Sequence, residues 1–314
     1  MTTPSFTVDI TEDRLFKLLG NPTRMATLRA LWEEFDFEEY VIQERTPIPY
    51  SVLRDRAGEP SNFNYHLDRL VGVLVEDHDE GYLLSPLGYN LMRAIDAHAS
   101  LEYEAIERTE LADPCPFCGG TLAASYQREM LRVECLDCGG LADGGNFLTA
   151  QIPMTTTGTL EFPRLLDVAS HTVAQRVGTS FQGFCWECQA PVERTLSVCQ
   201  DHDRNENENC PECLGRFAVK LEVACPNCGT GGAGSLVEYA LVTPGVQALF
   251  ADHGRGRRQI GPWAYRLAAL GAVQQRDVTA DPTGAAYRFE FGGDWVAARF
   301  EDREKLDVTI SRGN

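Results

Sequence analysis

The chain has 314 residues, 43% of them hydrophobic, and 46 acidic against 28 basic residues give a net charge of −18. That length fits two to four modest domains with apolar content ample for their cores. No stretch approaches the roughly 18 consecutive apolar residues of a membrane span, and the start, MTTPSFTVDI, has no basic region followed by an apolar run. The expectation is a cytoplasmic, reduced protein without a secretory signal, in which Cys-x-x-Cys pairs bind metal or do redox work more often than they form disulfides.

The stretch LFKLLGNPTRMATLRALW (15–32) reads as a short helix followed by a second. Asn21 is the N-cap of that second helix and Pro22 its first residue, and Met25, Leu28, Leu31 and Trp32 make its apolar stripe. YSVLRDRAG (50–58) predicts a short helix with Leu53 inward, ended at Gly58. Ser61 is read as the cap of SNFNYHLDRLVG, where Phe63, Leu67 and Leu70 are spaced i, i+4, i+7. Ser61, Asn62, Asn64, Tyr65, Asp68 and Arg69 then point away from the core, and His66 borders it as a packing residue. VLVED and GYLLSP predict two strands around an acidic turn. A helix over 86–110 follows, with Leu91, Met92, Ile95, Leu101, Ala105 and Ile106 at helical spacing. This order predicts a winged helix-turn-helix over residues 1–112, its last helix serving dimerisation or the link onward.

LGNPTRMATLRAL, NFNYHLDRLVG and GYLLSPLGYNLMRAI together resemble archaeal ArsR-type regulators, haloarchaeal ones in particular, over roughly residues 12–100. The resemblance implies that helix 61–71 enters the major groove of double-stranded DNA, that the wing lies along the backbone and that the outer helices form a homodimer. Carried over, Ser61, Asn62, Asn64, Tyr65 and Arg69 are the DNA-contacting candidates. Asn pairs bidentately with adenine and Arg with guanine, while hydroxyls reach phosphates. Two features depart from the family. YSVLRDRAG lacks the cysteine of metalloid sensors, so arsenic-type sensing is not expected. The wing tip, Asp77-His78-Asp79-Glu80-Gly81, is acidic, and residues 1–110 hold 21 acidic and 10 basic side chains. Only Lys17, Lys220 and Lys305 are lysines, a composition like that of halophilic archaeal proteins. In molar salt the counterion-release gain of basic contacts is largely gone.

The cysteines come next. Eleven are present; ten form five Cys-x-x-Cys pairs and Cys199 is left over, with His202 at the spacing of a missing partner. Cys115/Cys118 and Cys135/Cys138 flank sixteen residues that can form a hairpin, which predicts a four-thiolate site. Cys185/Cys188 and Cys199/His202 are ten residues apart, and Cys210/Cys213 and Cys225/Cys228 eleven. APVERTLSV and GRFAVKLEVA each read as a local hairpin. Sequential pairing, Cys185/Cys188 with Cys199/His202 and Cys210/Cys213 with Cys225/Cys228, is therefore favoured. The alternative interleaves them, Cys185/Cys188 joining Cys210/Cys213 and Cys199/His202 joining Cys225/Cys228. Either way twelve ligands close three structural Zn²⁺ sites.

FPRLLDVASHTVAQRVGTS (162–180) predicts an amphipathic helix with His171 as a surface or packing residue. GTGGAGS (229–235) reads as a linker, Thr243-Pro244 as a helix start and 261–273 as a further helix. AYRFEFG, WVAARFE and LDVTISR read as strands. HGRGRR (253–258), the one basic cluster, is a solvated loop or a phosphate or partner contact. The fold class is thus α+β: a winged helix-turn-helix at 1–112, a zinc ribbon at 113–150, a linking helix at 151–183, two zinc sites at 184–230 and a small α+β module at 236–314. No nucleophile–base pattern or phosphate loop is visible. A non-enzymatic DNA-binding regulator is expected, with a protein partner possible at the C-terminal module. The alternative is a zinc-ribbon adaptor binding RNA polymerase or other proteins. A thiol-redox role fits paired four-ligand knuckles poorly.

Overall fold

The computed structural model describes residues 11–34, 46–58, 61–98, 105–203, 208–302 and 306–313. It divides into two units, residues 1–101 and 102–314, and mixes helices with four antiparallel sheets. Among the described residues no helix is long and apolar enough to cross a membrane.

The first unit holds helices α1 (Glu12–Leu19), α2 (Pro22–Glu33), α3 (Tyr50–Arg56) and α4 (Phe63–Leu70). The hairpin β1 (Val75–His78) and β2 (Gly81–Leu84) and helix α5 (Pro86–His98) complete it. Asn21 caps α2 by accepting from the Arg24 amide at 3.1 Å, with Pro22 just inside. Leu28, Leu53, Leu67, Leu70, Leu74 and Met92 are at most 2% exposed and form the centre of this core. Trp32 stacks on Tyr89 at 5.4 Å and its indole N–H donates to Asp96, tying α2 to α5.

Two sequence expectations fail here. Ser61 does not cap α4: the preceding residue is Asn62, held at φ 66° with no side-chain cap bond. The backbone entering α4 is left-handed at this position, and asparagine tolerates that conformation better than most. The helix expected over 86–110 ends at His98, and Ile106–Pro114 is a strand; residues 99–104 lie outside the described ones. The apolar spacing at Ala105 and Ile106 is overridden because an exposed sheet edge offers this segment backbone partners.

That strand is β3, which opens the second unit and pairs with β4 (Thr121–Gln127), then β5 (Met130–Cys135) and β6 (Asn146–Gln151) in an antiparallel sheet. A short α6 (Met154–Thr157) leads to the long α7 (Phe162–Phe181). A second sheet has the order β7 (Glu193–Val198), β8 (Val219–Ala224) and β9 (Gly231–Ser235). Each of APVERTLSV and GRFAVKLEVA thus supplies one strand rather than a hairpin of its own. GTGGAGS is no linker, since residues 231–235 pair with β8 as an edge strand. Helices α8 (Val237–Val242), α9 (Pro244–Asp252), α10 (Arg257–Ile260) and α11 (Pro262–Gly271) follow. Thr243 precedes α9, but its hydroxyl donates to the Ala240 carbonyl instead of capping. The chain ends in a four-strand meander, β10 (Val273–Ala280), β11 (Thr283–Phe291), β12 (Asp294–Asp302) and β13 (Leu306–Gly313).

One hydrophobic core runs from Cys115 through α7 and the second sheet to Phe300. Aromatic side chains link its parts. Phe147 meets Trp263 at 6.0 Å, Phe181 meets Phe300 at 5.8 Å, and Phe217 meets Tyr287 at 5.6 Å. Each such ring removes a large apolar surface from water, worth about 1.5–3 kcal/mol when fully buried.

Because Leu67 is 2% exposed in the first unit's own core, Leu67→Ala is expected to destabilise that unit by about 2–5 kcal/mol. Chemical unfolding followed by fluorescence measures this, and the metal content of the second unit should not change.

Candidate functional site

Three groups of side chains in the second unit converge as metal ligands do. They are Cys115, Cys118, Cys135 and Cys138; Cys185, Cys188, Cys225 and Cys228; and Cys199, His202, Cys210 and Cys213. In each group every ligand atom lies within 4.8 Å of the others. The first set is the expected one. The pairing of the other two is neither sequential nor interleaved but nested, and the strands explain why. β7 and β8 are antiparallel, with Glu193 opposite Ala224 and Val198 opposite Val219. The Cys185/Cys188 knuckle precedes β7 and the Cys225/Cys228 knuckle follows β8, so both lie at one end of the pair. Cys199/His202 follows β7 and Cys210/Cys213 precedes β8, so these meet at the other end.

The donor geometry fits a tetrahedral ion. Four thiolates bonded at about 2.3 Å stand about 3.8 Å apart, and a thiolate and an imidazole nitrogen about 3.5 Å apart. The sulfurs of Cys115 and Cys138 are 3.8 Å apart and those of Cys118 and Cys135 3.6 Å. Cys185–Cys228 and Cys188–Cys225 are at 3.7 and 3.6 Å, and Cys199–Cys210 at 3.9 Å. His202 approaches Cys213 through Nδ1 at 3.4 Å. Each cluster could therefore hold one metal ion such as zinc.

Four knuckles share a local design. The first cysteine's carbonyl accepts from the residue four positions on, at 2.8–3.1 Å, in Cys115–Gly119, Cys185–Gln189, Cys210–Leu214 and Cys225–Gly229. That fourth residue sits at φ between 56° and 74°. Glycine takes this conformation without strain, whereas Gln189 and Leu214 are held in it. Backbone amides face the sulfurs, Gly120 toward Cys118 at 3.4 Å and Glu187 toward Cys185 at 3.4 Å. Asn227 adds a side-chain N–H to Cys188 at 3.5 Å.

The protonation of these thiols is uneven. Asn227 and the Ala190 amide pull Cys188 down to about 6, and the Cys213 amide pulls Cys210 down to about 7. Loss of solvent pushes Cys199 up to about 11, helped by Cys213 and Cys210, and burial raises Cys138. Adjacent thiols resist ionising side by side, and a divalent cation at their centre removes that resistance.

Cluster three docks on the first ribbon. Asn209 donates from Nδ2 to the carbonyls of Gly139 at 2.6 Å and Leu214 at 3.3 Å. The Arg216 amide donates to Leu141 at 3.1 Å. The Arg216 guanidinium lies 3.9 Å from the ring centroid of Phe117, which stands inside the first knuckle. Asn209, Arg216 and Asn227 carried no signal in the sequence, because each acts across a contact that the chain order does not show.

In the first unit, Ser61, Asn62, Asn64, Tyr65 and Arg69 are all exposed, as is Asp68. Arg69 lies 5.2 Å from the Tyr65 ring centroid, and Tyr65 meets His66 edge-on at 5.3 Å. His66 is half-buried, its Nδ1 without a hydrogen bond. Asn64 Oδ1 accepts from the Tyr50 hydroxyl, and the Tyr50 ring packs on Phe63 at 5.5 Å. A bidentate contact by Asn64 therefore requires Tyr50 to release it. His171, remote from the clusters in sequence, accepts from Arg257 at 3.2 Å.

Native mass spectrometry should find three metal ions per chain, one for each cluster, and His202→Ala should remove one of them. The nested pairing is tested by double variants: Cys185→Ser with Cys228→Ser should cost one ion, and Cys185→Ser with Cys199→Ser should cost two. Ligands bind deprotonated, so protons compete with metal and its release rises as pH falls. Titration from pH 8 to about pH 4 with a chromogenic chelator should show increasing release at the acid end.

The family described as a domain of unknown function (DUF7351) matches residues 112–306, more than half of the chain, and one described as a domain of unknown function (DUF7347) matches residues 12–95. No curated protein and no solved structure matches. The boundary between the two matches falls close to that between the two structural units. The chain thus belongs to the family described as domain of unknown function DUF7351.

Proposed function

We propose that this chain is a DNA-binding transcription regulator of the ArsR type from a halophilic archaeon, with the first unit a winged helix-turn-helix and the second built on three structural zinc ions. The observation that carries the reading is α4: it follows α3 in the chain, exposes a row of polar side chains and precedes a two-strand hairpin. Helices in this arrangement enter the major groove and the hairpin follows the backbone. Zinc suits the donors, since thiolate and imidazole are its usual ligands and four protein ligands leave no position open for catalysis. The protein acts as a cytoplasmic homodimer through its outer helices, with the C-terminal module as the site for a protein partner.

A second reading, an adaptor that binds RNA polymerase or similar machinery, is favoured by the hairpin tip. Asp77, Asp79 and Glu80 are exposed there, where phosphate would call for Lys or Arg. Selection of random duplexes by the zinc-loaded protein in molar KCl separates the two. Enrichment of one sequence is expected, with Asn64→Ala and Arg69→Ala each weakening it about tenfold or more, since a bidentate base contact is worth about 1–3 kcal/mol. A fully metal-loaded protein that enriches no sequence would sink the regulator reading in favour of the adaptor.

A further inference from the structure

Beside the second cluster lies a cavity of about 290 Å³, walled by α7, β6, β8, β9 and α8. It is close to the lower end of the size range of small-molecule sites. The glycines of β9 make it distinctive. Gly232 stands opposite Val223 and Gly234 opposite Leu221, and residues opposite one another in an antiparallel pair face the same side. Both partners are buried and line the cavity. A Cβ built at either glycine meets no atom within 4 Å, and neither glycine has the left-handed φ that would require one. Neither conformation nor crowding demands glycine here. In a strand interior it costs roughly 0.5–1 kcal/mol relative to alanine. Both glycines are exposed, so on this side the hollow opens to solvent, and side chains at 232 and 234 would narrow its mouth.

The walls say what fits. Phe147, Tyr239 and Trp186 supply aromatic surface. The polar groups of the wall largely pair among themselves or with neighbours: the hydroxyls of Ser180 and Tyr239 meet at 3.1 Å, Thr149 donates to Asn146 at 3.1 Å, Arg176 faces Glu187 at 3.7 Å, and Arg266 donates to Glu238 at 2.7 Å and to the Phe147 carbonyl at 2.9 Å. Each wall arginine is balanced by a glutamate, Arg266 by Glu238 and Arg176 by Glu187, carboxylates that would repel an anion, while the buried Nε–H of Arg266 has no acceptor. We propose that this cavity is a binding site for a small, uncharged aromatic molecule that carries a hydrogen-bonding oxygen. The site is coupled to the second metal cluster, because Trp186 lies between Cys185 and Cys188 and Gly231 follows Cys228 by three residues. The proposal stands whether or not the first unit binds DNA.

Acetophenone tests the uncharged class and benzoate, of similar size, its charged counterpart, each titrated calorimetrically into the metal-loaded full chain. Saturable acetophenone binding is expected, with benzoate at least tenfold weaker. Gly234→Val should weaken acetophenone at least tenfold while leaving the metal count intact and holding or raising the melting temperature. Val173→Phe fills the cavity from α7 and should do the same, which decides the matter if the strand variant misfolds. No saturable binding of acetophenone, or binding unchanged by a folded filling variant, overturns the site; equal affinity for benzoate overturns the uncharged class.

Discussion

The antiparallel pairing of Glu193–Val198 with Val219–Ala224 is the constraint on which the second unit depends. Two strands that run in opposite directions bring the beginning of one to the end of the other. Four ligand pairs strung along the chain are thereby sorted into two nested sets, one at each end of the same ladder. A metal ion held at either end would lock strand register, because a slip of one residue would move a knuckle away from its partner and turn every side chain to the opposite face. The ladder brings the ligand pairs together, and ions bound by them would stabilise the ladder in turn. Neither segment alone has the apolar content to hold its shape, and ligand-to-metal bonds supply folding free energy where a core is thin.

The sheet also explains how separate knuckles become one body. Phe117 and Trp186 stand inside knuckles, and both pack against the common core. Arg216 covers Phe117, and Asn209 reaches the carbonyl of Gly139 in the first ribbon. The third cluster is thus fastened to the first by groups that do not touch metal. The first ribbon's β6 packs on α7, whose far end meets the C-terminal sheet through Phe181 and Phe300. Local backbone geometry shapes the cysteine knuckles, and apolar contact joins them.

The sequence makes legible what is local. Cys-x-x-Cys spacing, the Asn21–Pro22 helix start and the stripe of Phe63, Leu67 and Leu70 each report a geometry built within a few residues, and the structure contains all three. Pairing between knuckles is not local. Each intervening segment was long enough for a hairpin, and only the choice of β8 as partner for β7 decides against it. Gly231–Ser235 was illegible for another reason: a strand with almost no side chains has no alternation to read, and its identity comes wholly from backbone bonds to β8. Ile106–Pro114 shows the converse, apolar spacing that fits a helix in a segment claimed by a sheet edge. Asn62 marks the limit of cap rules, since its backbone φ rather than its side chain serves the turn.

The charge balance bears on both units in different ways. A net charge of −18 makes the surface repel itself at low ionic strength, and salt relieves that repulsion. Exposed ion pairs offer little in return: Lys17 and Asp13 are 74% and 75% exposed, and such pairs contribute about 0–1 kcal/mol before screening. The stabilising terms that survive screening are buried ones. In the second unit these are the shared core and the Arg266–Glu238 pair, to which the cysteine clusters would add metal bonds that do not depend on bulk ionic strength in the way surface contacts do. In the first unit no such cluster occurs among the described residues, and its smaller core must resist the same repulsion alone. A fold placed under that charge is therefore anchored unevenly, and the unit with the exposed α4 face is the one whose stability answers most directly to salt.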